Sequence, residues 1–221
     1  MLLQATVRLV IAPLARLLYR PVVEGRENVP RRGPVILAAN HLSFIDSVVI
    51  PLVAPRPVAF LAKAEYFRRP GFKGWLTRTC LTGIDAIPVQ RGGHREARAS
   101  LQLALDVLAE GRAFGLHPEG SRSRDGRIYR GRTGVAWLAL ASGAPVVPVA
   151  VLGTDRIQPI GARLPRLGKV TVRFGAPLHF TQPAGSVGQA RRAVTDEIMA
   201  AIRDLSGQEP ADGYNDLTTA A

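Results

Sequence analysis

The sequence predicts an α/β fold: a single domain whose central mixed, largely parallel sheet is flanked by helices, with an amphipathic helix at its N-terminus. Three observations predict it. Short apolar, β-branched runs alternate with helical patterns along the middle of the chain. Residues of the AVILMFWYC set make up 47% of 221, enough for a full core, and they fall in separated blocks. No repeat or composition break divides the chain, so one domain is expected over 25–206, between an N-terminal helix at 1–24 and a flexible tail at 207–221.

The elements follow in order. Leu3, Val7, Val10, Leu14 and Leu17 recur at helical spacing while Gln4, Arg8, Arg16 and Arg20 lie off that stripe, which predicts a helix with an arginine face. Its uncharged run, 9–15, is broken by Pro13, is too short to span a bilayer and has no small-residue cleavage site after it. Two placements stay open: against the protein's own core, or in a membrane interface with arginines among anionic head groups. Strands are predicted at 35–39, 58–62, 84–89, 113–116, 146–152 and 170–174, each a brief apolar run bounded by turn residues. Pro145 and Pro148 bracket the start of the fifth, which reads as a buried strand. Helical periodicity is found at 45–53, 71–81, 95–110, 134–141 and 186–205. The closing run SGQEPADGYNDLTTAA lacks apolar periodicity and is expected to fray.

Lys and Arg total 29 against 17 Asp and Glu, a net charge of +12, and only Lys63, Lys73 and Lys169 are lysines. Guanidinium forks suit phosphate or carboxylate, so the partner is expected to be a phosphorylated substrate, an anionic membrane surface or nucleic acid. With 6% aromatic residues, and Tyr129 alone in the most basic loop, no stacking platform for nucleic acid is visible. The single cysteine, Cys80, excludes an internal disulfide and a cysteine-built zinc site and fits a reducing compartment. The four histidines are scattered, without an H-E-x-x-H pattern, and no G-x-S-x-G elbow is present.

Two stretches carry candidate chemistry at strand ends, where the sites of open α/β sheets gather. In Asn40-His41-Leu42-Ser43-Phe44-Ile45-Asp46 a carboxylate five residues after an imidazole is able to fix its tautomer and leave the other nitrogen to accept a proton. The same residues also read as a capping-box variant, Ser43-x-x-Asp46, opening a helix. In His117-Pro118-Glu119-Gly120-Ser121-Arg122-Ser123-Arg124 a glycine lets backbone amides approach a ligand. Arg122, Arg124, Arg127, Arg130 and Arg132 then face one acid, Asp125, which suggests an anion site against the alternative of a solvated basic loop. A third stretch, 83–92, delivers Arg91 beside Gly92 and Gly93.

With NHLSFID, GIDAIPVQRG, PEGSRS and APVVPVAV in this order, the chain resembles the glycerolipid acyltransferase family, which includes the 1-acyl-sn-glycerol-3-phosphate acyltransferases; the likeness runs from Gly25 to Phe180. The resemblance implies that His41 is the catalytic base and Asp46 its orienting partner. It implies that Arg91, Glu119, Gly120 and Arg122, with Lys63 between the first two blocks, hold a phosphorylated acceptor. Where this chain has His117 the family commonly has Phe, and at Gln90 it often has Asp.

The implied activity moves an acyl group from an acyl-CoA or acyl carrier protein thioester to lysophosphatidic acid, giving phosphatidic acid. No cofactor is needed beyond that co-substrate. Glycerol-3-phosphate or another lysophospholipid is the alternative acceptor. The expected place is the cytoplasmic face of the cell membrane, held peripherally or monotopically by the first helix and the stretch 66–76. The oxyanion of the tetrahedral intermediate would need donors, for which amides at the start of the helix after His41 are candidates. Two rivals from other classes are a basic nucleic-acid-binding module and a non-catalytic membrane-surface protein.

Overall fold

The computed structural model describes residues 19–90, 92–162, 164–181 and 186–215, together with Pro13 and Leu17. The expected N-terminal helix lies almost wholly outside the described residues, as does Arg91. Among the described residues seven strands, β1 (Val22–Glu24), β2 (Val35–Ala39), β3 (Val58–Lys63), β4 (Ala86–Val89), β5 (Ala113–Leu116), β6 (Val146–Leu152) and β7 (Thr171–Phe174), form one sheet in the order β1-β7-β6-β2-β5-β3-β4. Every neighbouring pair is parallel except β6 and β7, so the sheet is mixed and largely parallel.

Helices α1 (Asp46–Val53), α2 (Ala64–Arg68), α3 (Gly71–Gly83), α4 (His94–Ala109), α5 (Gly134–Ser142), α6 (Thr154–Ile157) and α7 (Val187–Ser206) connect or follow the strands. The expected strands are all present, and the helices match the expected spans to within about two residues. Sequence patterns missed β1, an edge strand of three residues with no buried position, and the short helices α2 and α6.

β2 is buried at all five positions, and its alternate side chains enter two cores. Ile36 and Ala38 pack with Phe114 and with Leu108, Val135, Leu138 and Ile198 from α4, α5 and α7. Val35, Leu37 and Ala39 pack on the other face with Ile50, Val58, Phe60, Val147 and Val149. Gly115 is required where β5 crosses under Phe60, since a Cβ there would lie 2.1 Å from the Phe60 ring.

The chain leaves β2, builds β3 and β4 to one side, returns through α4 to place β5 between β2 and β3, and then crosses to β6 on the other side. The ends of β2 and β5, 76 residues apart when His41 is counted against His117, therefore lie side by side, with Ala38 level with Leu116. That is the switch point at which open sheets of this class bind ligands.

The expectation of a frayed tail does not hold for 208–215. Gly207, at φ 67, ends α7, and the chain turns back over the loop that leaves β5. Ile128 N–H donates to Glu209 O, Ala211 N–H to Ile128 O and Arg130 N–H to Gly213 O, each at 2.9 Å. These are main-chain bonds that need no apolar period, which is why hydropathy does not reveal them. Residues 216–221 lie outside the described residues.

Candidate active site

β2 ends at Ala39, and the next residue fastens the strand ends together. The buried Asn40 amide accepts from Val151 N–H at 2.7 Å and donates to Val151 O at 3.0 Å, so one side chain continues the β2–β6 ladder past its last backbone rung. His41 follows at the carboxyl end of β2, and Asp46 is the first residue of α1.

Asp46 is fully buried, and its Oδ2 lies 3.0 Å from His41 Nδ1 while accepting the N–H groups of Leu42 and Ser43, each at 2.7 Å. A single carboxylate thus holds the imidazole and closes the turn ahead of α1, while the capping-box reading is met only in part, because the residue that precedes α1 is Ile45, which gives no side-chain cap. Ser43 does not return the cap; its hydroxyl donates to Gln158 O at 2.7 Å. Burial raises the Asp46 carboxyl above its ordinary value, and the hydrogen bonds from the Ser43 and Leu42 amides work against that rise.

His117, the departure from the family pattern, lies parallel to the His41 ring with centroids 3.9 Å apart and planes inclined by 7°. Its Nδ1 faces the carbonyls of Ala39 at 3.2 Å and Asn40 at 3.0 Å, so that nitrogen carries hydrogen, and Nε2 then accepts from the Ser47 hydroxyl at 3.0 Å. Burial, and next the charge on His41, push its pKa down to about 3, so it is neutral near pH 7 and serves as a flat backing for His41.

Glu119 is buried and does not face the cleft. Its Oε1 accepts His41 N–H at 3.0 Å and its Oε2 accepts Tyr129 N–H at 2.9 Å, so it ties the β2 end to the basic loop. Burial lifts its pKa to about 7 against the pull of those two amides. Gly120, at φ 82, turns the chain, but its N–H is spent on His117 O at 3.0 Å and does not point to a ligand. The expectation placed Glu119 and Gly120 against an acceptor; in the structure both are bonded within the protein, where they shape the loop that carries Arg122.

The cleft beside His41 has about 650 Å³ of space, part of it open to solvent, and is lined by apolar residues including Phe44, Val48, Leu61, Tyr66 and Leu81, with Lys63, Ser121 and Arg122. The structure thus brings together His41, Asp46, Lys63 and Arg122. It disperses the rest of the arginine cluster. Arg127 pairs with Asp125 at 2.8 Å, while Arg130 and Arg132 lie over the Tyr214 ring at 5.4 and 5.5 Å. The charge run overstated the anion site because three of its five members are occupied within the loop and the segment above it.

The amides expected to serve as oxyanion donors are in part committed elsewhere, since Leu42 and Ser43 N–H both point at Asp46. Among the described residues, no group of three or more His, Cys, Asp or Glu side chains is placed to hold a metal ion.

The sequence model of the acyltransferase family matches residues 20–152. A chloroplastic 1-acyl-sn-glycerol-3-phosphate acyltransferase of Arabidopsis thaliana is 28% identical over 182 residues, covering 81% of this chain and 49% of that protein. A 1-acyl-sn-glycerol-3-phosphate acyltransferase of Chlamydomonas reinhardtii is 35% identical over 183 residues, covering 81% and 53%. The chain spans about half the length of these curated relatives. Among solved structures, the 1-acyl-sn-glycerophosphate acyltransferase PlsC of Thermotoga maritima superposes with a TM-score of 0.67 at 27% identity, covering 91% of this chain and 82% of that one.

Proposed function

The chain belongs to the acyltransferase family, and from that premise we propose that it transfers a fatty acyl group from a thioester to the free hydroxyl of a phosphorylated glycerolipid. The acceptor proposed is 1-acyl-sn-glycerol-3-phosphate, for which its relatives are named, and the product phosphatidic acid. One observation carries this reading: a single cleft combines His41, held by Asp46, with two cations and an apolar wall.

With Nδ1 on Asp46, Nε2 is the nitrogen that takes the hydroxyl proton as the alcohol oxygen attacks the thioester carbonyl carbon. Collapse of the tetrahedral intermediate breaks the C–S bond, and the imidazolium returns the proton to the departing sulfur. The products are an ester, a free thiol and neutral His41. Asp46 stabilises the transient imidazolium and holds the tautomer. Arg122 and Lys63 hold the acceptor phosphate and so determine which hydroxyl meets His41. Apolar residues such as Leu61 and Leu81 receive acyl chain.

The test offers acyl-CoA and acyl carrier protein thioesters with lysophosphatidic acid, glycerol-3-phosphate and a phosphate-free monoacylglycerol, and locates the new ester by mass spectrometry. Product is expected with a phosphorylated acceptor alone. Arg122→Ala is expected to raise the acceptor KM by about tenfold or more while the thioester KM stays put. Equal turnover of the monoacylglycerol overturns the phosphate assignment.

The same reading seats the protein on a bilayer. Among the described residues no helix is long and apolar enough to cross a membrane. The first half of α3 instead exposes Phe72 at 75%, Trp75 at 50% and Leu76 at 48%, with Arg68, Arg69 and Lys73 close by in sequence. Leu81, further along α3, lines the cleft. An apolar patch set among cations suits the anionic cytoplasmic leaflet. Sedimentation with phosphatidylglycerol vesicles is expected to weaken about tenfold in the double variant Phe72→Ser, Trp75→Ser. Unchanged binding removes α3 from the docking surface.

A further inference from the structure

Residues 208–215 pass over the loop that carries Arg122 and are anchored along its length. Gln208 accepts from Asn40 Nδ2 at 2.7 Å and donates to Gly126 O at 2.6 Å. Tyr214 lies under Arg130 and Arg132, and its hydroxyl accepts from Arg192 of α7 at 3.2 Å. Arg132 donates to Asn215 O at 3.2 Å. At the end of this strap, Asn215 Nδ2 donates to the carbonyls of Ser121 at 3.3 Å and Arg122 at 3.1 Å, and both of those residues line the cleft.

The peptide unit joining Arg122 to Ser123 is thereby held from both sides. Its carbonyl accepts from Asn215, and its N–H donates to His41 O at 2.7 Å. Hydrogen bonds in series through one peptide polarise each other, so the bond from Asn215 strengthens the bond to His41. We propose that Asn215 is a positioning residue for acyl transfer: through the Arg122–Ser123 peptide it fixes the distance between the phosphate-holding guanidinium and the catalytic imidazole. The strap does not touch the reacting atoms. It determines where the Arg122 side chain begins relative to His41, and a guanidinium that must meet both a phosphate and a fixed hydroxyl tolerates little displacement. This inference rests on the reading of Arg122 as the partner of the acceptor phosphate.

The test is a kinetic cycle on the full chain with Asn215→Asp, Arg122→Ala and the double variant, using lysophosphatidic acid and an acyl thioester. Asp is nearly isosteric with Asn, but it turns the donor into an acceptor facing two carbonyl oxygens. Asn215→Asp is expected to raise the acceptor KM about five- to tenfold, with kcat and the thioester KM within about twofold. On the Arg122→Ala background the same substitution is expected to change the acceptor KM by less than about twofold, because the group it positions is gone. Equal effects on both backgrounds would mean that Asn215 supports the fold generally, and the proposal fails. A normal acceptor KM in Asn215→Asp, with Arg122→Ala impaired, also overturns it while leaving the acceptor assignment intact. A normal KM in Arg122→Ala overturns both. Urea unfolding confirms that each variant is folded, and Asn215→Ala replaces Asn215→Asp in the cycle should the latter not fold.

Discussion

His41→Ala is expected to lower turnover at least about 10³-fold at neutral pH, with the thermal unfolding midpoint near that of the parent. The ring is partly shielded and supplies the only base proposed for the acceptor hydroxyl, so its removal leaves binding without proton transfer. Asp46→Asn is expected to cost about 10²- to 10⁴-fold in kcat through a different route. Its Oδ2 now receives three donors, from His41, Leu42 and Ser43. An amide in its place stabilises the imidazolium less, and if its nitrogen takes that position it faces N–H groups and favours the wrong tautomer. Release of free thiol from the acyl donor, followed by a chromogenic disulfide, measures both variants. Retention of more than about a tenth of parental turnover by His41→Ala would falsify the assignment of the base.

Glu119→Ala is expected to impair both activity and stability, and the stability effect carries a sign. The substitution leaves the His41 and Tyr129 N–H groups without their acceptor, at roughly 1–3 kcal/mol for each buried donor, offset in part by relief from burying a carboxylate. Because the folded-state pKa of Glu119 is raised to about 7 from 4.5, the folded protein holds a proton that the unfolded chain releases. Its stabilising share is complete below about pH 4.5 and is lost as pH rises through 7. The stability gap between parent and Glu119→Ala is therefore expected to be widest at and below about pH 4.5 and to narrow toward pH 7.5, by up to about 1.4 kcal/mol per pH unit. Urea titrations of both proteins at several pH values read this directly. A gap that widens with rising pH would contradict the assigned environment of Glu119.

The class of fold and the spans of β2, β5 and β6 are legible in sequence because a strand buried on both faces is an unbroken apolar run, and such runs are hard to mistake when turn residues bound them. β1 is not legible for the opposite reason: Val22–Glu24 is short, unburied and paired only at the edge with β7. His41 and Asp46 share one turn of chain, so their pairing at 3.0 Å follows from local spacing. The environment of Glu119 does not, because its partners come from residues 78 and 10 positions away in sequence. A conspicuous acid after a strand reads as a ligand contact until the partners are seen.

Charge counting failed in a related way, since a count of arginines carries no information about which of them rest on Tyr214 or Asp125. The strap was missed because polar main-chain and amide bonds leave no periodic trace. The nearest signal was Gly207 ending a helix ahead of Pro210 and Gly213, a pattern that marks a turn without saying what the chain turns toward.

The position of β5 bears on how such a protein is born. β2 and β3 leave the ribosome in succession, yet they never pair with each other, because the strand that joins them is made about fifty residues later and must slot into the gap. Until then the nascent chain presents two open parallel edges, the kind of surface that chaperones cover and that neighbouring chains join. His41 likewise has neither the Glu119 acceptor nor its His117 backing until that insertion is complete, although its pairing with Asp46 is local.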